Sequence, residues 1–231
     1  MKMRIILAGA LLAAAPVSGA AAQNWTATYN ESEGSHVVGN PEADILLTAF
    51  VSYSCPHCGT FEKQADAEIQ LGYVTPGKVA YAVRHVLRND MDKAAALLTE
   101  CGPEDKFWGN HRAMMHAQDA WLATFQKMTD AQVARWSAAD APERMRLVAS
   151  DLGFYDIMEG RGYSRVEMDQ CLTNREELIR LEGLSAHYRD DLGVPGTPSF
   201  SIDGQLLEGV HAWPVLKMVM DGALAAGAAD S

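Results

Sequence analysis

The sequence predicts an α/β protein whose small sheet is interrupted by an all-helical insertion. Strand signals gather near the two ends of the chain, helical periodicity begins directly after a C-x-x-C turn, and the middle hundred or so residues carry no strand signal at all. The expected division is 1–22 as a signal peptide, 23–89 as the first part of the core, 90–190 as the helical insertion and 191–231 as the second part of the core.

The leader has Lys2 and Arg4 ahead of an apolar run and ends in small residues, Ala20, Ala21 and Ala22, that fit an A-x-A cleavage pattern. A retained membrane anchor is the alternative reading, and Gly9, Pro16 and Gly19 interrupt the apolar run such an anchor needs. Ile45 to Tyr53 (ILLTAFVSY) is an apolar run of strand length that feeds into the turn Cys55-Pro56-His57-Cys58, as a buried central strand does. After the turn, Phe61, Ala65 and Ile69 recur four apart, so the turn opens a helix. Lys78 to Leu87 (KVAYAVRHVL) is rich in β-branched and aromatic residues and reads as a second strand.

From Asp90 to Asp190 the chain reads as successive helices. Met91, Ala95, Leu98 and Cys101 form one apolar stripe stopped by Gly102, and Met168, Cys171 and Leu172 form another behind a Ser164/Glu167 capping box. Asn174 with Glu177 repeats that start signal. Near the end, FSI and QLL flank Asp203-Gly204, a two-residue hairpin signal, and Pro214 marks the first turn of a closing helix.

With 231 residues, the chain suits one domain carrying an inserted subdomain. Its formal net charge of −11 repels phosphate backbones, and no basic cluster opposes this, so nucleic acid is not an expected partner.

Export gives the four cysteines, Cys55, Cys58, Cys101 and Cys171, a disulfide context. A zinc site needs about four ligands at short fixed spacings, and here Cys101 and Cys171 are isolated while His111 and His116 lack an H-E-x-x-H frame. Neither a metal nor a cofactor is expected. A permanent local staple at Cys55 and Cys58 closes too short a ring to remove much chain entropy. The redox reading fits best. A thiolate at Cys55, at a helix N-terminus, is stabilised by unpaired N–H groups and the positive end of the helix dipole, with His57 beside it as a further donor or positive charge. Cys58, a step into the helix, is then the buried resolving thiol. The stretch GVPGTPSF places Thr197-Pro198 just before the FSI strand, where a cis bond would turn the Thr197 backbone toward the CPHC turn and an extended substrate strand.

Cys101 and Cys171 sit on apolar stripes of one subdomain and are expected to form a structural disulfide. Two buried free thiols or a second redox relay are the alternatives.

Strand, CPHC, helix, helical insertion, Gly-Thr-Pro before a hairpin and a closing helix together resemble the DsbA-like branch of the thioredoxin superfamily over essentially the whole chain after the leader. EDKFWGNHRAM, Glu104 to Met114, is similar to the KFW…H stretch of bacterial members. The resemblance implies a thioredoxin fold and a periplasmic thiol:disulfide oxidoreductase, with Cys55 as exposed nucleophile, Cys58 as its partner and Pro198 as a cis proline. It further implies reduced, folding proteins as substrates and a quinone-linked membrane oxidase that restores the disulfide. Two departures stand out. Ala49 occupies the position, six before Cys55, where members often carry a buried acid, so the proton of Cys58 needs water or another group. Thr197, before the proline, is a residue type shared by some oxidases and by disulfide isomerases. A disulfide isomerase or reductase therefore stands as the nearest alternative enzyme, and a non-catalytic binding protein or holdase chaperone as the alternative of another class. The short segment between the cleavage site and the first apolar strand favours a monomer over the oligomers that isomerases form.

Overall fold

The computed structural model describes residues 23–32 and 34–229, so the expected signal peptide lies outside the described residues. Six strands form one sheet in the order β1-β2-β4-β3-β5-β6: β1 Tyr29–Ser32, β2 Ser35–Val38, β3 Ile45–Val51, β4 Val79–His85, β5 Ser199–Ile202 and β6 Gln205–Leu206. Only β3 and β4 run parallel, and the other neighbours are antiparallel. A parallel pair needs a crossover. Helix α1 (Pro56–Glu68) and a π-helical segment, Ile69–Val74, supply it.

Strand β3 lies between β4 and β5, with Ala49 opposite Val83 on one side and Phe200 on the other. Its near-continuous apolar sequence follows from being covered on both faces. Leu47, Ala49 and Val51 join the main core, whereas Phe50 faces the other way into a smaller cluster with Val86, Tyr188 and Val194. On the main face, Phe61 of α1 meets Phe200 at 4.7 Å between ring centroids and Trp213 at 6.5 Å. Trp213 opens α10 (Trp213–Ala229), the closing helix, whose Leu216 and Met220 reach the same core. Phe61, Ala65 and Ile69 are all buried, as their spacing predicts.

Between β4 and β5 the chain forms eight α-helices: α2 Asp90–Thr99, α3 Phe107–His116, α4 Gln118–Phe125, α5 Asp130–Ala138, α6 Ala141–Asp151, α7 Phe154–Glu159, α8 Arg165–Leu172 and α9 Arg175–Asp190. Ser164 and Glu167 form the capping box that starts α8, and the Asn174 side chain accepts the Glu177 N–H at the start of α9. Cys101 lies just past α2, not within it, and is bonded to Cys171 of α8 with 5.7 Å between Cα atoms. Cys171 is only half-buried, so one end of that bridge reaches toward the surface. Asp203 (φ 49°) and Gly204 (φ 82°) make the tight β5–β6 turn, a geometry open to Asp and Gly.

Candidate active site

Cys55 is the N-cap residue of α1, with φ −88° and ψ 114°, and Pro56 opens the helix. Proline suits that position because its missing N–H has no intrahelical role there. A cysteine at the N-cap supplies no side-chain oxygen to the first turn, and the structure shows no side-chain cap. The helix's own N–H groups are thereby left facing the sulfur.

The Cys55 thiol pKa is lowered from 9 to about 4. A hydrogen bond from Cys58 is the largest cause; burial opposes it, and Thr197 with the backbone N–H groups of Cys58 and His57 reinforces it. Cys58 moves the other way, well above an ordinary thiol, first through burial and then through the neighbouring Cys55. Its sulfur accepts the Ser52 N–H at 3.5 Å. The two free thiols are therefore driven apart: one is an acid, the other a proton holder.

Cys55 is only 4 % exposed, which corrects the expectation of an exposed nucleophile. The covering group is the loop before β5. The Thr197–Pro198 peptide is cis, and the Thr197 carbonyl accepts the Cys55 thiol at 3.2 Å. A carbonyl can accept only from the protonated thiol, so it favours the dithiol form. The Thr197 hydroxyl is buried without a partner, which leaves it as a donor for a thiolate. Beside Cys55 a cavity of about 400 Å³ is lined by His57, Pro195, Gly196, Thr197, Pro198 and His211. His57 is exposed there, and the group it turns to Cys55 is its backbone N–H. His211 packs its Nδ1 against the Pro198 carbonyl at 2.9 Å. A larger cavity of about 670 Å³, lined by Leu71, Tyr73, Lys217 and Asp221 among others, contains neither cysteine.

Ala49 is fully buried in β3, and the acids near the turn come from elsewhere. Asp92, in the first turn of α2, accepts the Ser54 N–H at 2.7 Å and the Arg88 N–H at 2.9 Å, together with the hydroxyls of Ser52 and Ser54. Burial raises its pKa against those donors. Glu62 lies one helical turn beyond Cys58 on α1, where residues four apart share a face. Burial works to raise its pKa, and His111, with Nε2 at 3.5 Å, brings it below the usual carboxylate range. His111 in turn meets the Tyr53 hydroxyl at 2.8 Å. Gln118, the first residue of α4, donates from Nε2 to the carbonyls of Tyr53 and Cys55. None of Asp92, Glu62, Gln118 or His211 carried a sequence signal, since single polar residues in helical or loop sequence read as solvated. Of the residues marked by the sequence, Cys55, Pro56, His57, Cys58, Thr197 and Pro198 meet at one place, while Cys101 and Cys171 form their bridge away from it.

A mixed sheet, a dithiol at the start of the first crossover helix and a cis-proline loop laid over it define a thioredoxin-fold protein. The family model described as Thioredoxin matches residues 31–222. The chain belongs to the thioredoxin family. A crystal structure described as a protein-disulfide isomerase from Novosphingobium aromaticivorans is 39 % identical, covers 82 % of this chain and 97 % of that one, and superposes with a TM-score of 0.79. Alpha-DsbA1 of Wolbachia pipientis shares the fold at 18 % identity, with a TM-score of 0.67 over 87 % of this chain and 96 % of that one. A Rickettsia conorii protein whose name provisionally assigns it as a protein-disulfide oxidoreductase is 24 % identical over 198 residues. That match covers 85 % of this chain but 63 % of the Rickettsia protein's length.

Proposed function

We propose that this chain is an exported dithiol oxidase that passes a Cys55–Cys58 disulfide to reduced proteins during their folding. The opposed acidities of Cys55 and Cys58 carry the reading. A substrate thiolate attacks Cys55 Sγ of the disulfide; the Cys55–Cys58 bond breaks, and Cys58 leaves as a thiolate that takes up a proton. A second substrate thiolate then attacks the substrate sulfur of the mixed disulfide. The substrate leaves oxidised, and Cys55 departs as a thiolate, a good leaving group because its pKa is about 4. The cavity bounded by Pro195, Gly196 and Thr197 offers room beside Cys55 for an extended peptide. Reoxidation requires a disulfide-generating partner, for which a quinone-linked membrane oxidase fits the chemistry. A monomer acting in the periplasm completes the reading.

An isomerase is the second reading, favoured by the description of the Novosphingobium relative. Refolding of reduced and of scrambled ribonuclease separates the two. An oxidase in its disulfide form accelerates the first reaction far more than the second, and Cys55→Ser abolishes both. Wild-type protein without activity in either assay would sink both readings.

A further inference from the structure

We propose that Gln118 is a positioning residue that holds the Cys55 turn in the N-cap geometry that aims its sulfur at the first N–H groups of α1. The inference rests on the oxidoreductase reading above. Gln118 is fully buried at the start of α4, outside the sheet and outside α1. Its two amide hydrogens go to two main-chain carbonyls of the segment bearing the nucleophile: Tyr53 at 2.6 Å and Cys55 at 2.8 Å. Reversing the amide would set its oxygen against both carbonyl oxygens, so the network itself fixes the orientation. The carbonyl end, Oε1, is buried without a donor. It lies against Gly59, where a Cβ would stand 2.1 Å from Oε1 and 2.7 Å from Cδ. Glycine at position 59 is thus the space Gln118 occupies.

An unpaired buried acceptor is costly, and α4 alone gives no reason for a glutamine at that place. The return is at Cys55. Its carbonyl already accepts the N–H groups of Cys58 at 3.0 Å and Gly59 at 3.3 Å. Gln118 donates to the same oxygen and ties the Tyr53 carbonyl to it. The N-cap conformation of Cys55 is therefore fixed by both the active-site helix and the insertion. That conformation points the sulfur at the N–H groups of His57 and Cys58, and fixed donors stabilise a charge without reorganising when it forms.

Gln118→Met keeps much of the volume and removes both donors. In the reduced protein its Cys55 thiolate absorbance should titrate about one pH unit or more above wild type, and the equilibrium with glutathione should become less oxidising by the same factor, about tenfold per unit. Gly59→Ala, which displaces Gln118 from the other side, should give a shift in the same direction. In the double variant Gly59→Ala/Gln118→Ala the new methyl fills part of the void. Its melting temperature should recover relative to Gln118→Ala while the titration stays shifted. A Gln118→Met titration equal to wild type, or a titration that returns with the melting temperature in the double variant, overturns the inference. Those outcomes leave the oxidase reading intact. A wild-type Cys55 that titrates like a free thiol would instead remove the reading on which the inference rests.

Discussion

At Cys55 the sign of the pH dependence follows from the direction of its shift. Its pKa in the folded, reduced protein is about 4, below the ordinary thiol value of 9. The stabilisation of the reduced form is therefore complete above the ordinary thiol pKa, shrinks as pH falls through that window and is absent below the folded value. The disulfide form carries no such group. The stability of reduced over oxidised protein should thus widen from about pH 4 upward, as read by denaturant unfolding of each form. The midpoint potential should fall by about 30 mV per pH unit above that point, one proton per two electrons, and by about 60 mV below it. A 60 mV slope maintained to neutral pH would mean that Cys55 is protonated there, contrary to its surroundings. Thr197→Val tests one of the causes. It removes the buried hydroxyl but keeps the carbonyl and the shape, so the thiol pKa should rise by about 1–2, the value of a hydrogen bond to a charged group.

At the scale of elements, the N-termini of two helices meet the segment before Cys55. Helix α1 supplies N–H groups to the sulfur, and α2 supplies Asp92, which accepts from Ser54 and Arg88 and ties the end of β3 to the loop after β4. Asp92→Ala leaves those buried donors unpaired and should cost about 3 kcal/mol or more in urea unfolding, with Asp92→Asn costing less. From sequence, an Asp in the first turn of a helix is simply a favourable partner for the dipole. Nothing in its spacing shows that it faces inward. The same limit explains which strands were legible. Strands β3 and β4 announce themselves as apolar runs because both faces are covered, and β5 with β6 because Asp203-Gly204 marks the turn. Strands β1 (YNES) and β2 (SHVV) are short and carry no alternation, and they are held by pairing of β2 with β4, a tertiary contact absent from local sequence. At the site, the cysteines, Thr197 and Pro198 are marked by their chemistry, whereas Gln118 gains its place only when α4 folds back under the turn.

Over the whole molecule, the Cys101–Cys171 bond closes a loop with a sequence separation of 70 residues, and that loop holds α3 through α7. Its end at Cys101 is further tied by the Asn110 side chain, which donates to the Cys101 and Thr99 carbonyls, both at 3.3 Å. Immediately before Cys101, Glu100 meets His36 at 2.7 Å and His85 at 3.2 Å, linking the end of α2 to β2 and β4. The bridge therefore anchors the insertion at the point where it is also fastened to the sheet. Removing it as the double variant Cys101→Ala/Cys171→Ala should cost roughly 4 kcal/mol of stability by the chain-entropy relation. For a domain of this size that corresponds to a melting temperature lower by about 8–16 °C. Because the pair lies away from Cys55, ribonuclease oxidation measured well below the new melting temperature should proceed at the wild-type rate. A large loss of oxidation in a variant that is still fully folded, or reduction of Cys101 and Cys171 at the same potential as Cys55 and Cys58, would instead make the second pair part of the electron path.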